Sequence, residues 1–297
     1  MDANTLAQMG ITCDTGKYPF PVLEIKNSNA TAKISLYGGH VISYIPVGEQ
    51  PVLWMSSKSW YEPGKPLRGG VPVCWPYFGP APVDGCAAHG FVRTAMWELH
   101  AAETLTGDTT KIVLKVDEKG IDHPLCSKPF ELYLTVTVGA ALELELRAVN
   151  KADSEQTFQA ALHTYFAVSE SEKITVTGLD KTPYLDKAPA HAGEDRVQCG
   201  DLEIDQEIDR VFCPTSATVK ISDPVWRRTL VVEKSGSLST VVWNPWISKS
   251  KAMPDFGDNE YHRMLCVECG NVLADSRTLA PGAVTVMTQK VSVEKWD

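Results

Sequence analysis

Apolar and polar residues alternate along most of this chain, and a period of two leaves few folds open to it. The alternation is plain in 32–36 (AKISL), 111–116 (KIVLKV), 132–138 (LYLTVTV) and 142–148 (LELELRA). It returns in 173–177 (KITVT), 217–222 (ATVKIS), 229–233 (TLVVE) and 283–292 (AVTVMTQKVS). Successive side chains of a strand point to opposite faces, so such segments bury one face and wet the other. In 142–148 the leucines are expected to face inward, with Glu143 and Glu145 in solvent. Gly, Asn, Asp and Pro separate the runs at short intervals. No 11-residue amphipathic helix is present, and short helices are expected only around 57–61 and 205–209. The reading is all-β, a sandwich or barrel. No repeat of 20–50 residues and no low-complexity linker divides the chain, so residues 1–297 are read as one domain.

Two stretches depart from the pattern: 61–90, crowded with Gly and Pro, and 243–258, which contains NPW and MPDFGDN. Irregular loops on a regular scaffold are where binding and chemistry concentrate. The formal charge of −9 repels polyanions, so neither nucleic acid nor a membrane surface is an expected partner. A small anion held by local arginines stays compatible with it, because distant surface charge is screened. No apolar run reaches the roughly 18–20 residues that cross a bilayer. Residues 1–10 lack the basic and apolar regions of a signal peptide. The eight cysteines are too sparse for a disulfide scaffold. The expectation is a cytoplasmic protein with reduced thiols, acting as a monomer.

Several residues could carry chemistry. Arg68 and Arg93 are the only arginines among the first 146 residues, and they bracket the Gly/Pro-rich stretch. An arginine fork suits phosphate oxygens, and Gly69 and Gly70 would let backbone approach a ligand; the plainer reading is a pair of surface arginines. His163, inside QAALHTYF, is either a satisfied core residue or a proton donor that titrates near neutrality. Glu268 sits within MLCVECGN. If alternation holds, Cys266, Glu268 and Gly270 share one face while Val267 and Cys269 share the other. Desolvation there would raise the Glu268 pKa toward that of a useful base; on an exposed edge it would be ordinary. The same alternation separates Cys266 from Cys269, so no metal site is read from that CxxC pair. His89 is a catalyst or a loop support, and Asp209 a sugar ligand or a helix cap. Trp75, Tyr77, Phe78, Trp243 and Trp246 form a stacking floor or pack the core.

Taken together, the runs LRGGVPVCWPYFGP, HGFVRTAMW, ALHTYF, VTGLDKTPYLDK, IDRVF, VVWNPW, KAMPDFGDNEYHRMLCVECGNV and LAPGAVTVMTQKVSV resemble the glucose-6-phosphate 1-epimerase (D-hexose-6-phosphate mutarotase) family. The similarity extends from about residue 20 to the C-terminus in the family's order. It implies a large antiparallel β-sandwich of the galactose-mutarotase type and interconversion of hexose 6-phosphate anomers without a cofactor. By position, it implies His163 as general acid and Glu268 as general base, with substrate contacts from Arg68 and Arg93, assigned to the phosphate, and from Asp209; His89 joins them as a substrate-binding candidate. Two positions depart from the family: Ala88 stands where Gln commonly precedes HGF, and Tyr77 where many relatives carry Gln. Three rivals share the scaffold: a non-catalytic carbohydrate-binding module, an epimerase of unphosphorylated sugar, and a lyase or hydrolase. The last would ordinarily need two carboxylates about the scissile bond.

Overall fold

The computed structural model describes residues 2–296. Two large antiparallel sheets dominate it. A nine-stranded sheet contains the long alternating strands Thr109–Asp117, Phe130–Val138, Leu142–Asn150, Arg228–Ser235 and Val284–Lys295. An eight-stranded sheet runs in spatial order from Glu194–Val197 through Pro183–Asp186, Ile208–Phe212, Ser239–Asn244, Met264–Asn271 and Ala160–Leu162 to Val73–Cys74. Tyr165–Ala167 adds to it along Met264–Asn271. A four-stranded meander from Ile11–Asp14 to His40–Pro46 completes the main layers.

The core lies between the two large sheets. Leu132, Leu134, Val136, Leu142, Leu144 and Leu146 enter it from one side, and Val242, Leu265, Val267, Cys269 and Phe212 from the other. These aliphatic and aromatic groups account for the period of two: each strand gives every second residue to a common apolar layer. Glu143 is exposed and Glu145 half-exposed, as alternation requires. All eight runs singled out for alternation coincide with or overlap strands.

The helical expectations fail. Residues 57–61 form a loop whose Ser57 N–H donates to Glu260, and Asp209 lies in the strand Ile208–Phe212 rather than at a helix end. Strand pairing to Ser239–Asn244 consumes the backbone groups that a helix turn would need. The helix Trp246–Ala252, in the irregular stretch after NPW, went unread; at seven residues it is too short to show periodicity. Among the described residues no helix is long and apolar enough to cross a membrane.

The eight-stranded sheet has buried side chains on both faces. Its strand Met264–Asn271 is buried throughout, which is why MLCVECGN reads as apolar rather than alternating. Cys266 and Cys269 pack into different clusters on opposite faces. Loops from the Gly/Pro-rich stretch cover the face turned away from the nine-stranded sheet. The bridge between Trp75 and Gly90 pins them, with Phe91 N–H donating to the Trp75 carbonyl at 3.1 Å. Gly90 has φ +78°, and a Cβ there would run into that carbonyl oxygen. Substituting Gly90→Ala is therefore expected to lower the unfolding free energy by about 2 kcal/mol or more, read from urea denaturation. A loss within measurement error would mean the loop is not pinned here.

Candidate active site

Strand register alone brings the two central residues together. Leu162 pairs with Cys269 and Tyr165 with Cys266, so His163, in the break between the two short strands, falls opposite Glu268 by the register kept on either side. Ala161, His163 and Tyr165 share the loop-covered face, while Leu162 and Phe166 turn into the core. Hydrogen bonding is irregular between the two short strands. His163 N–H donates to the Pro72 carbonyl, and Val267 N–H donates to that of Thr164. The Thr164 hydroxyl donates inward to Gln289 of the opposite sheet, whose amide in turn donates to the Val267 carbonyl.

His163 Nδ1 and Glu268 Oε1 lie 3.4 Å apart, without hydrogen-bond alignment. Only 1 % of the Glu268 side chain and 9 % of that of His163 is exposed. Burial, reinforced by the negative charge of Asp209 and partly offset by Lys187, holds the Glu268 carboxyl well above its usual pKa. Burial also pushes the His163 imidazole well below its usual value, and the charges of Arg68 and Arg93 push it further. The free pair therefore favours its neutral form, a carboxylic acid beside an imidazole.

The face around this pair is laid out in rows. Asp209 pairs with Trp243, Trp243 with Cys266 and Cys266 with Tyr165, so these four cross the sheet in line. Val211, Val241 and Glu268 form the next row. The Tyr165 ring lies on the His163 imidazole at 4.7 Å and 8°, and Trp243 closes against both edge-on. His89, at φ +63°, presents its ring to His163 at 5.5 Å. Its Nδ1 accepts from Gly79 N–H, which leaves Nε2 as the protonated nitrogen of the neutral ring. Burial keeps that ring neutral by lowering its pKa well below the usual value.

Positive charge gathers at the loop-covered side. Arg68 Nε and NH2 meet Asp255 Oδ2 at 3.1 and 3.0 Å, and its NH1 donates to the Tyr165 hydroxyl at 3.0 Å. Arg93 is buried; NH2 donates to the Ala88 carbonyl at 2.7 Å, and Nε has no hydrogen-bond partner. Neither arginine is the solvated surface group that the plainer reading allowed. Lys187 Nζ sits over the Phe78 ring at 5.6 Å. Among the described residues no carboxylate lies within ion-pair distance of Arg93 or Lys187. Asp209 lies in the same face, 3.5 Å from Lys249.

Thus His163, Glu268, Arg68, Arg93, His89 and Asp209 share one face, as do Phe78 and Trp243 of the aromatic set. Trp75 packs in the core against Phe130 at 4.1 Å. With Tyr77, Phe91 and Phe158 it lines a separate hollow of about 440 Å³. The Tyr77 hydroxyl donates to the Ala87 carbonyl, and Trp246 packs on Tyr261. These rings belong to packing rather than to a floor beneath His163. The sequence reading assigned no role to Asp255, Lys187 or Lys249, since a lone acid in a Gly-containing loop and solvated-looking lysines carry no distinguishing pattern.

The sequence profile of the aldose 1-epimerase family matches residues 21–292. A Cenchrus ciliaris protein is 35% identical over 265 residues, covering 86% of this chain and 78% of its own. An Escherichia coli K12 protein is 31% identical over 274 residues, covering 92% and 86%. Both carry the name "putative glucose-6-phosphate 1-epimerase". The crystal structure of a Salmonella typhimurium "putative mutarotase (YeaD)" superposes with a TM-score of 0.86 at 29% identity, over 96% of this chain and 94% of that one.

The buried pair has a signature in stability. Glu268 is protonated more readily folded than unfolded, so its contribution is lost as pH rises above the ordinary carboxyl pKa of 4.5 toward the raised folded value. In Glu268→Gln that loss is absent. The variant is expected to match wild type near pH 4 and to be the more stable protein at pH 8, by thermal or urea unfolding. A variant less stable at pH 8 than at pH 4, relative to wild type, would contradict the neutral buried carboxyl.

Proposed function

Because the chain belongs to the aldose 1-epimerase family, we propose that it interconverts the α and β anomers of a hexose 6-phosphate, with glucose 6-phosphate its foremost substrate. The observation that carries this reading is the cross-strand approach of His163 Nδ1 to Glu268 Oε1 at 3.4 Å, in a face lined by cations. A hemiacetal carbon holds two oxygens, O1 and O5, a bond apart from the same carbon. An acid and a base side by side are what its opening needs.

The Glu268 carboxylate takes the proton from O1 while the His163 imidazolium gives one to O5. The C1–O5 bond breaks and C1 becomes an aldehyde. Rotation about C1–C2 then presents the other face. The imidazole removes the proton from O5, which attacks C1, and the Glu268 carboxyl returns a proton to O1. Atoms and charges balance over the cycle. The two groups stand side by side in the free protein with no hydrogen bond between them, so each can turn to one of the two sugar oxygens. His89, held with Nε2–H available, and Asp209 suit the sugar hydroxyls as donor and acceptor. Arg68 and Arg93 suit the phosphate, whose remote binding energy would position C1 against the pair.

Anomer exchange of glucose 6-phosphate, measured by NMR magnetisation transfer, tests the reading; exchange no faster than buffer ends it. Glu268→Gln is expected to lose about 10²–10⁴-fold in turnover with substrate binding largely kept. Arg68→Ala is expected to impair glucose 6-phosphate far more than free glucose, and equal losses on the two would remove the phosphate role of Arg68.

A further inference from the structure

We propose that the substrate's phosphate arms the acid: bound at Arg68 and Arg93, it drives the proton of the pair from the Glu268 carboxyl to the His163 imidazole. This deepens the hexose 6-phosphate reading and rests on it. The two protonation states differ by one internal transfer. A carboxylic acid beside an imidazole becomes a carboxylate beside an imidazolium, as the Glu268 O–H bond breaks and an N–H bond forms on His163. No proton enters or leaves. Only the second state can open a closed ring, because the base must be empty and the acid loaded.

The layout gives the phosphate leverage over one partner more than the other. The Arg68 guanidinium reaches His163 through a single intervening ring: NH1 meets the Tyr165 hydroxyl at 3.0 Å, and that phenol lies flat on the imidazole at 4.7 Å. Arg93 also presses on His163, and Asp209 and Lys187 act on Glu268. The groups facing His163 are Glu268, Arg68, Arg93, Tyr165, His89 and His40. His40, on His40–Pro46, donates from Nε2 to the Gly69 carbonyl at 2.7 Å, and burial lowers its pKa to about 4. Both neighbouring histidines are thus neutral near pH 7 and add no competing charge. Asp255 already offsets Arg68, whereas Arg93 has no carboxylate partner among the described residues. A phosphate dianion supplies the missing negative charge on the His163 side, in a buried setting where charge is weakly screened. An unphosphorylated hexose could fill the same face and still meet a pair in the wrong state.

The test uses the full chain with ¹⁵N-labelled histidine, and inorganic phosphite as a dianion that cannot react. At pH 7 phosphite is expected to raise the ratio of imidazolium to imidazole at His163 about tenfold or more, seen in its ¹⁵N shifts. It is also expected to speed anomer exchange of free glucose by a similar factor, chiefly through kcat. Arg68→Ala is expected to raise the same ratio without phosphite, which keeps the test independent of phosphite affinity. Unchanged His163 protonation in both the phosphite-treated protein and Arg68→Ala would overturn the proposal. If glucose 6-phosphate exchange remains fast in that case, the enzyme reading survives and only the arming fails; if that exchange is itself absent, the enzyme reading is what has failed.

Discussion

The site depends on one backbone register. Leu162 against Cys269 and Tyr165 against Cys266 leave His163 facing Glu268, and a slip of one residue would send one side chain of the pair into the core. The fold secures that register from beneath. Thr164 and Val267, turned toward the nine-stranded sheet, are both tied to Gln289, which is fully buried. A buried amide left with unmet partners would be costly, so this bridge discriminates against misaligned pairings as well as stabilising the correct one. The ionisable pair is therefore placed by main-chain pairing and by a polar contact crossing an otherwise apolar core.

Burial then sets the chemistry. A carboxyl and an imidazole withdrawn from water both prefer to be neutral, and a protonated carboxyl beside an uncharged ring meets both preferences. The cations nearby do not contradict this. Arg68 is held by Asp255 and Tyr165, and Arg93 by a carbonyl, so their positions are fixed while much of their charge stays available to an incoming anion. A net charge of −9 for the chain is no obstacle, because the local arrangement governs a ligand in contact with it. The aromatic groups divide the same way by position: Tyr165 and Trp243 frame His163, while Trp75 fills the core.

Much of this was legible beforehand, for definite reasons. Alternation exposed the strands of the nine-stranded sheet because one of its faces is wet, as at Glu143. It was muted in Met264–Asn271, where both faces are covered, yet it still put Cys266 and Glu268 on one side and Cys269 on the other. The short helices expected at 57–61 and 205–209 do not form, and long-range strand pairing takes Asp209. Asp255 escaped notice because its meaning lies in an arginine 187 residues away along the chain, and Lys187 because nothing local separates it from a surface lysine.

The sequence by itself determined the all-β class and where many of the strands lie along the chain. Through its resemblance to a known family it also marked the residues at which chemistry was to be sought. Those properties are written in residue type and in a period of two, both of which are local. Which side chains touch, which charges lack a counter-ion and which ionisable groups are withdrawn from water were decided only by tertiary structure. Contact and desolvation arise between segments about a hundred residues apart, and no local pattern records the register that joins them.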